Sequence, residues 1–177
     1  MTLSLQPLFT AEEIAQRVQA LARAIDQDYQ QTPLTLIGIL KGSWIFMADL
    51  VRSLTIPIEN LEFLQLSSYG ENTTSSGTVE ILLNLKPANI RDKHLLIIDD
   101  IIDTGLSLQT TLNLLHAYHP ASIKICTLLD KPSQRKIEVK IDYWGFQIAN
   151  DFVVGYGLDY QQKYRHLPAL YIAKPHF

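Results

Sequence analysis

One short stretch limits the folds open to this chain more than any other: Leu95-Leu96-Ile97-Ile98-Asp99-Asp100-Ile101-Ile102-Asp103-Thr104-Gly105-Leu106-Ser107-Leu108. Four consecutive apolar residues suit a strand buried on both faces, because a strand with one wet face would alternate. Three carboxylates then fall within five positions, followed by a Thr-Gly-x-Ser turn. Beyond the turn, Leu108, Leu112 and Leu115 repeat at helical spacing. A strand, acidic loop and helix in this order predict an α/β sheet, in which ligands bind beyond the carboxyl ends of the strands. The turn opens a helix whose free N–H groups and positive dipole end favour a phosphate. Hydroxyls at Thr104 and Ser107 can donate to the same anion, and Gly105 lets the backbone come close.

Taken singly, an Asp at a strand end or a Ser at a helix start is an ordinary turn or cap residue. Three carboxylates behind an all-apolar strand are different, because their repulsion is costly without a ligand to offset it. One end of the stretch therefore reads as a phosphate site and the other as a site for a cation or a polyol.

The rest of the composition narrows the partners. A chain of 177 residues is expected to form a single domain, residues 1–177, long enough to bury a real core. Its net charge of −3 offers no broad basic surface, which argues against nucleic acid as a partner. Positive charge for a polyphosphate must then be local or come from a metal. No apolar run approaches the ~20 residues of a membrane helix, and no signal peptide is expected at the N-terminus. The single cysteine, Cys126, lies in an apolar run and reads as a buried thiol of a reducing compartment, so a cytoplasmic protein is expected.

In chain order, Thr10 and Glu13 fit a capping box, and Ile14, Val18, Leu21 and Ile25 mark a helix ending near Tyr29. Residues 34–40 read as a buried strand ending in Lys41-Gly42-Ser43. Trp44, Met47, Ala48, Val51 and Leu54 begin the face of a second helix. Residues 61–69 and 79–83 predict a two-strand arm joined by a small, hydroxyl-rich tip, the composition of a lid. Residues 123–129 and 143–148 predict two more strands, the first ending in Asp130-Lys131-Pro132. The segment Phe152-Val153-Val154-Gly155-Tyr156-Gly157-Leu158-Asp159-Tyr160 is aromatic and glycine-punctuated, and Arg165 follows it. By itself it says only that a loop lies near an apolar surface. None of the five histidines has zinc-ligand spacing.

Residues 95–107 closely resemble the ribose-phosphate signature of the phosphoribosyltransferases, in the form found in hypoxanthine-guanine phosphoribosyltransferases. Asp99 stands where Glu is common, and Ser107 where Thr is common. The resemblance runs over residues 34–168 in four motifs. It implies a type I phosphoribosyltransferase fold: a central, mostly parallel sheet flanked by helices, a small hood from the terminal segments, and a flexible two-strand lid. The implied reaction transfers the 5-phosphoribosyl group of PRPP to hypoxanthine or guanine, with Mg²⁺ as cofactor. Lys41 and Gly42 would form the pyrophosphate loop, whose non-proline peptide is often cis, with Trp44 in place of the common Phe. Asp99 and Asp100 would hold the ribose hydroxyls, directly or through the metal. Asp103 would be the general base. Ile102, Thr104, Gly105, Leu106 and Ser107 would clasp the 5-phosphate. Lys131 would donate to the purine's exocyclic oxygen, Phe152 would stack on the ring, and Val153 would read its edge. Asp159 would hold magnesium beside the base, and Arg165 would reach the pyrophosphate. Ser68 and Tyr69 would begin the lid, whose partner strand carries Glu80 where relatives often have a basic residue. The resemblance also implies a homodimer or homotetramer. The competing expectation is a non-catalytic protein that keeps the PRPP loop as a sensor. Receiver-type and dinucleotide-binding domains fail on motif order and on the lack of a G-x-G-x-x-G after any strand.

Overall fold

The computed structural model describes residues 3–68, 79–81 and 85–175. Its central sheet has six strands in the order β4-β3-β2-β5-β6-β7. These are β2 (Leu34–Leu40), β3 (Ile58–Ser68), β4 (Val79–Ile81), β5 (His94–Ile102), β6 (Ser122–Asp130) and β7 (Tyr143–Gln147). All neighbours pair in parallel except β3 and β4, which form the antiparallel arm. A second, antiparallel sheet joins β1 (Leu3–Phe9), β9 (Leu170–Pro175) and β8 (Val153–Val154), so the two terminal segments meet in a small hood.

The apolar run at β5 does what its composition demands. Leu95, Leu96, Ile97 and Ile98 are all fully buried, with alternate side chains entering two different cores. Leu96 and Ile98 join Leu34, Leu36, Cys126 and Leu128 beneath helices α1 (Ala11–Tyr29) and α2 (Trp44–Ser53). Leu95 and Ile97 join Ile37, Ile39 and Ile125 against Leu108 and Leu115 of α3 (Leu106–His116). Helices on both faces explain why the central strands β2 and β5 carry near-continuous apolar runs rather than alternating ones. The strand also runs further than its apolar residues. Asp99 still pairs with Thr127, and pairing continues to Ile102 opposite Asp130.

Helix α1 starts as predicted: Glu13 N–H donates to Thr10 Oγ1 at 3.2 Å, and Thr10 N–H donates to Glu13 Oε2 at 2.8 Å. Helix α2 bears out part of the expected face: Met47 is buried, and Val51 and Leu54 pack against the same core. Trp44, at 51% exposed, and Ala48 face away, and the fully buried places beside Met47 go to Phe46 and Leu50. In so apolar a helix, periodicity places the face only to within a residue or two. In the arm, Ser68 pairs with Val79. Tyr69, the tip at 70–78 and residues 82–84 lie outside the described residues, so the lid assignment lies largely there. Among the described residues, no helix is long and apolar enough to cross a membrane.

Candidate active site

Parallel pairing brings the carboxyl ends of β2, β5 and β6 to one edge, and with them Lys41-Gly42, residues 99–103 and Asp130-Lys131. The Leu40–Lys41 peptide is cis. The turn after it is held by Ser43, whose hydroxyl donates to the Ile39 carbonyl at 2.5 Å and whose own carbonyl receives Met47 N–H at 2.8 Å. Gly42 lies directly against the acid pair. A Cβ there would fall 1.6 Å from Asp100 Oδ2.

Asp99 is 7% exposed, and its Oδ1 accepts the Asp100 N–H at 3.0 Å. Burial, and next the adjacent Asp100 charge, push the Asp99 carboxyl well above the usual carboxylate range. Burial raises Asp100 as well, opposed by hydrogen bonds from its neighbours and by the positive charge of Arg165. The pair thus carries more negative charge than its surroundings favour. The donors are all hard oxygens, which suits a magnesium ion that takes one or two carboxylates and completes its shell with phosphate oxygens and water. Among the described residues, no three acidic, His or Cys groups come together as a possible metal cluster.

The phosphate turn follows. Gly105 takes a left-handed φ of 85° at the start of α3, and no side chain caps the helix through it. Leu106 N–H makes only a long 3.4 Å contact to Thr104 Oγ1. Thr104, Gly105 and Ser107 line a cleft of about 90 Å³ together with Asp99, Ile102 and Asp103. A second cleft, of about 260 Å³, is lined by Asp100, Asp103, Lys131, Phe152, Val153 and Asp159. Lys131 is only 6% exposed, and its backbone N–H donates to the Ile102 carbonyl at 3.0 Å. Val153 is buried in β8, while the adjacent Phe152 ring is 51% exposed and meets Tyr160 edge-on at 5.7 Å. Asp103 lines both clefts, and its Oδ1 is buried without a hydrogen-bond partner among the described residues.

Arg165 and Asp159 come together more closely than separate roles would suggest. Their side chains form an ion pair at 2.5 Å, Gln162 N–H donates to Asp159 Oδ2 at 2.8 Å, and Arg165 Nη1 donates to the Gly157 carbonyl at 2.7 Å. Asp159 and the Asp99–Asp100 pair do not form one metal cluster. Lys41 is exposed and is not among the residues that line the two clefts. Arg135, which the sequence patterns do not single out, pairs with Asp130, whose second oxygen accepts from Gln147 Nε2 at 3.2 Å.

Comparison with known proteins agrees with this geometry. Residues 5–161 match the model of the phosphoribosyl transferase domain. The chain is 46% identical over 171 residues to a hypoxanthine-guanine phosphoribosyltransferase of Dictyostelium discoideum, covering 95% of this chain and 94% of that protein. It is 45% identical over 168 residues to the Bacillus subtilis protein of the same name, covering 95% and 92%. A solved hypoxanthine phosphoribosyltransferase of Staphylococcus aureus superposes with a TM-score of 0.90 at 41% identity, covering 96% of this chain and 91% of that one.

Proposed function

The chain belongs to the phosphoribosyltransferase family, in its hypoxanthine(-guanine) branch, and from that premise we propose that it transfers the 5-phosphoribosyl group of PRPP to a 6-oxopurine. The observation that carries this reading is the position of Asp103 between the phosphate cleft and the Lys131–Phe152 cleft, with one carboxylate oxygen unpartnered. A ribose spanning the two clefts would bring its C1 beside that carboxylate.

In the proposed reaction the bond from C1 to the pyrophosphate oxygen breaks and its electron pair leaves with the pyrophosphate. A purine nitrogen forms the new bond to C1, and the proton the purine gives up passes to Asp103. Thr104, Gly105, Ser107 and the N–H groups at the start of α3 hold the 5-phosphate, with Ile102 and Leu106 completing the loop. Asp99 and Asp100 orient the ribose hydroxyls. Lys41 and Gly42 bind the pyrophosphate, joined by Arg165 once it exchanges Asp159 for the incoming anion. Magnesium, held with substrate oxygens at Asp159 and, separately, at the Asp99–Asp100 pair, would supply positive charge to the leaving pyrophosphate. Phe152 stacks on the base, and the Val153 backbone meets its edge. Lys131 donates to an oxygen at purine C6, which selects hypoxanthine and guanine over adenine, whose amino group there cannot accept. Ser68 and Tyr69 lead into a lid that keeps water from the reacting centre. We assign all of this to one domain over residues 1–177, working in the cytoplasm as a homodimer or homotetramer.

The test is a spectrophotometric assay with PRPP and Mg²⁺, offering hypoxanthine, guanine, xanthine and adenine separately. Turnover of hypoxanthine or guanine and none of adenine is expected. PRPP binding without turnover of any base would instead favour a PRPP sensor. In the same assay Lys131→Met is expected to lower kcat/KM for hypoxanthine by roughly 10–100-fold, the worth of one hydrogen bond to a charged group. Unchanged kcat/KM would remove Lys131 from base recognition.

A further inference from the structure

We infer that Arg135 is a positioning residue for the general base, acting through the backbone of Asp103 rather than through its carboxylate; the inference rests on the proposed role of Asp103. Arg135 follows the short 3₁₀ turn Pro132–Gln134, in the connection that runs from the end of β6 back across the loop after β5. Its guanidinium is divided between two partners. Nη1 donates to the Asp103 carbonyl at 3.0 Å, and Nη2 forms an ion pair with Asp130. Both members of that pair are largely shielded, the side chains being 16% and 7% exposed. Asp130 is fixed in turn by Gln147 Nε2 at 3.2 Å and by its place at the end of β6.

The two residues after Arg135 continue the strap. Lys136 N–H and Ile137 N–H both donate to the Thr104 carbonyl, at 3.0 and 3.1 Å. The loop after β5 is thus held at two successive carbonyls, by a side chain at Asp103 and by backbone at Thr104. These contacts divide the labour. The phosphate turn is fixed by backbone N–H groups that any residue but proline supplies, whereas Asp103 depends on a guanidinium. Asp130 also adjoins Lys131, so one rigid fork sets the general base and the base-reading lysine relative to each other. Only a planar head with several fixed donors can bridge a carbonyl and a carboxylate in this way.

The geometry makes a kinetic split the expected signature. Arg135→Gln is expected to lower kcat for hypoxanthine by about 10-fold while leaving the KM for PRPP within about 2-fold, because misplacing a reacting group costs rate before it costs binding. Arg135→Lys keeps a charge for Asp130 but cannot bridge, and is expected to restore thermal stability without restoring kcat. The decisive measurement is a cycle with Asp103→Asn. If Arg135 works through Asp103, Arg135→Gln should cost less than about 2-fold in the Asp103→Asn background. The same 10-fold loss in both backgrounds, or no loss in the native one, overturns the inference. Should Arg135→Gln fail to fold, Asp130→Asn, which loosens the same fork while keeping its shape, replaces it in the cycle. Failure of the parent reading is separately visible: native protein that turns over no 6-oxopurine, or Asp103→Asn with native kcat, refutes the role of Asp103 without any Arg135 variant.

Discussion

Asp103→Asn is expected to lower kcat for hypoxanthine by about 10²–10⁴-fold while the KM for PRPP changes little, the range a positioned general base contributes. Three features of the site combine to give this result. The carboxylate lines both the proposed phosphate cleft and the proposed base cleft, its Oδ1 is buried without a partner among the described residues, and its main chain is held by Arg135. Asparagine keeps the shape and the backbone bond but cannot take a proton near neutral pH. Because the phosphate turn holds through Thr104 and the start of α3, ground-state binding of PRPP should survive. Steady-state kinetics with both substrates varied, joined to direct PRPP binding, separates the two effects. Equal losses in kcat and in PRPP affinity would mark Asp103 as a ribose ligand instead.

How much of this could be read from the sequence depends on how local the signal is. The motif at residues 95–107 was legible because strand, acids and phosphate turn are contiguous, and each half needs a particular residue chemistry. The limits of β2 were equally plain, since residues 34–40 form an apolar run bounded by Pro33 and Lys41. Helix α2 shows where pattern is only partly enough. Met47 and Val51 of the expected stripe pack on the core, but Trp44 and Ala48 do not, and the position of the sheet brings in Phe46 and Leu50 instead. The hood strands gave no reading of their own. Leu3 pairs with Pro175, and nothing in either short segment announces a partner at the other end of the chain. Arg135 was hidden for a further reason. It serves Asp103 across 32 positions through a backbone carbonyl, an atom every residue carries and no side-chain motif can encode.

Charge explains why the acids were nonetheless the safest residues to single out. Asp99 is buried beside Asp100, and burial alone would favour removing both charges. A chain with net charge −3 has no broad positive field to compensate, and in the structure the charge of Arg165 bears on Asp100. That arrangement makes sense when cation and polyol arrive together with the substrate. The Arg165–Asp159 ion pair fits the same logic. Each member keeps a partner until an anion and a cation replace it, so neither is left buried and unpaired.

The second large effect is expected at Gly157, where two loops of the site touch backbone to backbone. Gly157 has φ of +101°, and a Cβ there would lie 2.1 Å from the carbonyl oxygen of Gly42. That oxygen is a backbone atom of the proposed pyrophosphate loop, so it cannot swing aside as a side-chain tip could. Gly157→Ala must therefore either push the Lys41-Gly42 turn outward or displace the segment bearing Asp159 and Arg165. The displaced segment is tied to Gly157 by its N–H to the Arg165 carbonyl at 3.0 Å and by its carbonyl to Arg165 Nη1 at 2.7 Å. A shift of about 1 Å at either place should cost about 10²-fold in kcat/KM for PRPP, with the left-handed backbone adding roughly 1–2 kcal/mol of instability. Gly42→Ala provides the contrast, because its added methyl meets the Asp100 carboxylate, a group able to rotate. Its loss should fall on PRPP and magnesium affinity with little change in thermal stability. Measuring kcat/KM for PRPP and the melting temperature for both variants distinguishes a backbone wedge from a side-chain clash. Native kinetics in Gly157→Ala would show that the two loops move independently and that their contact does not set the pyrophosphate site.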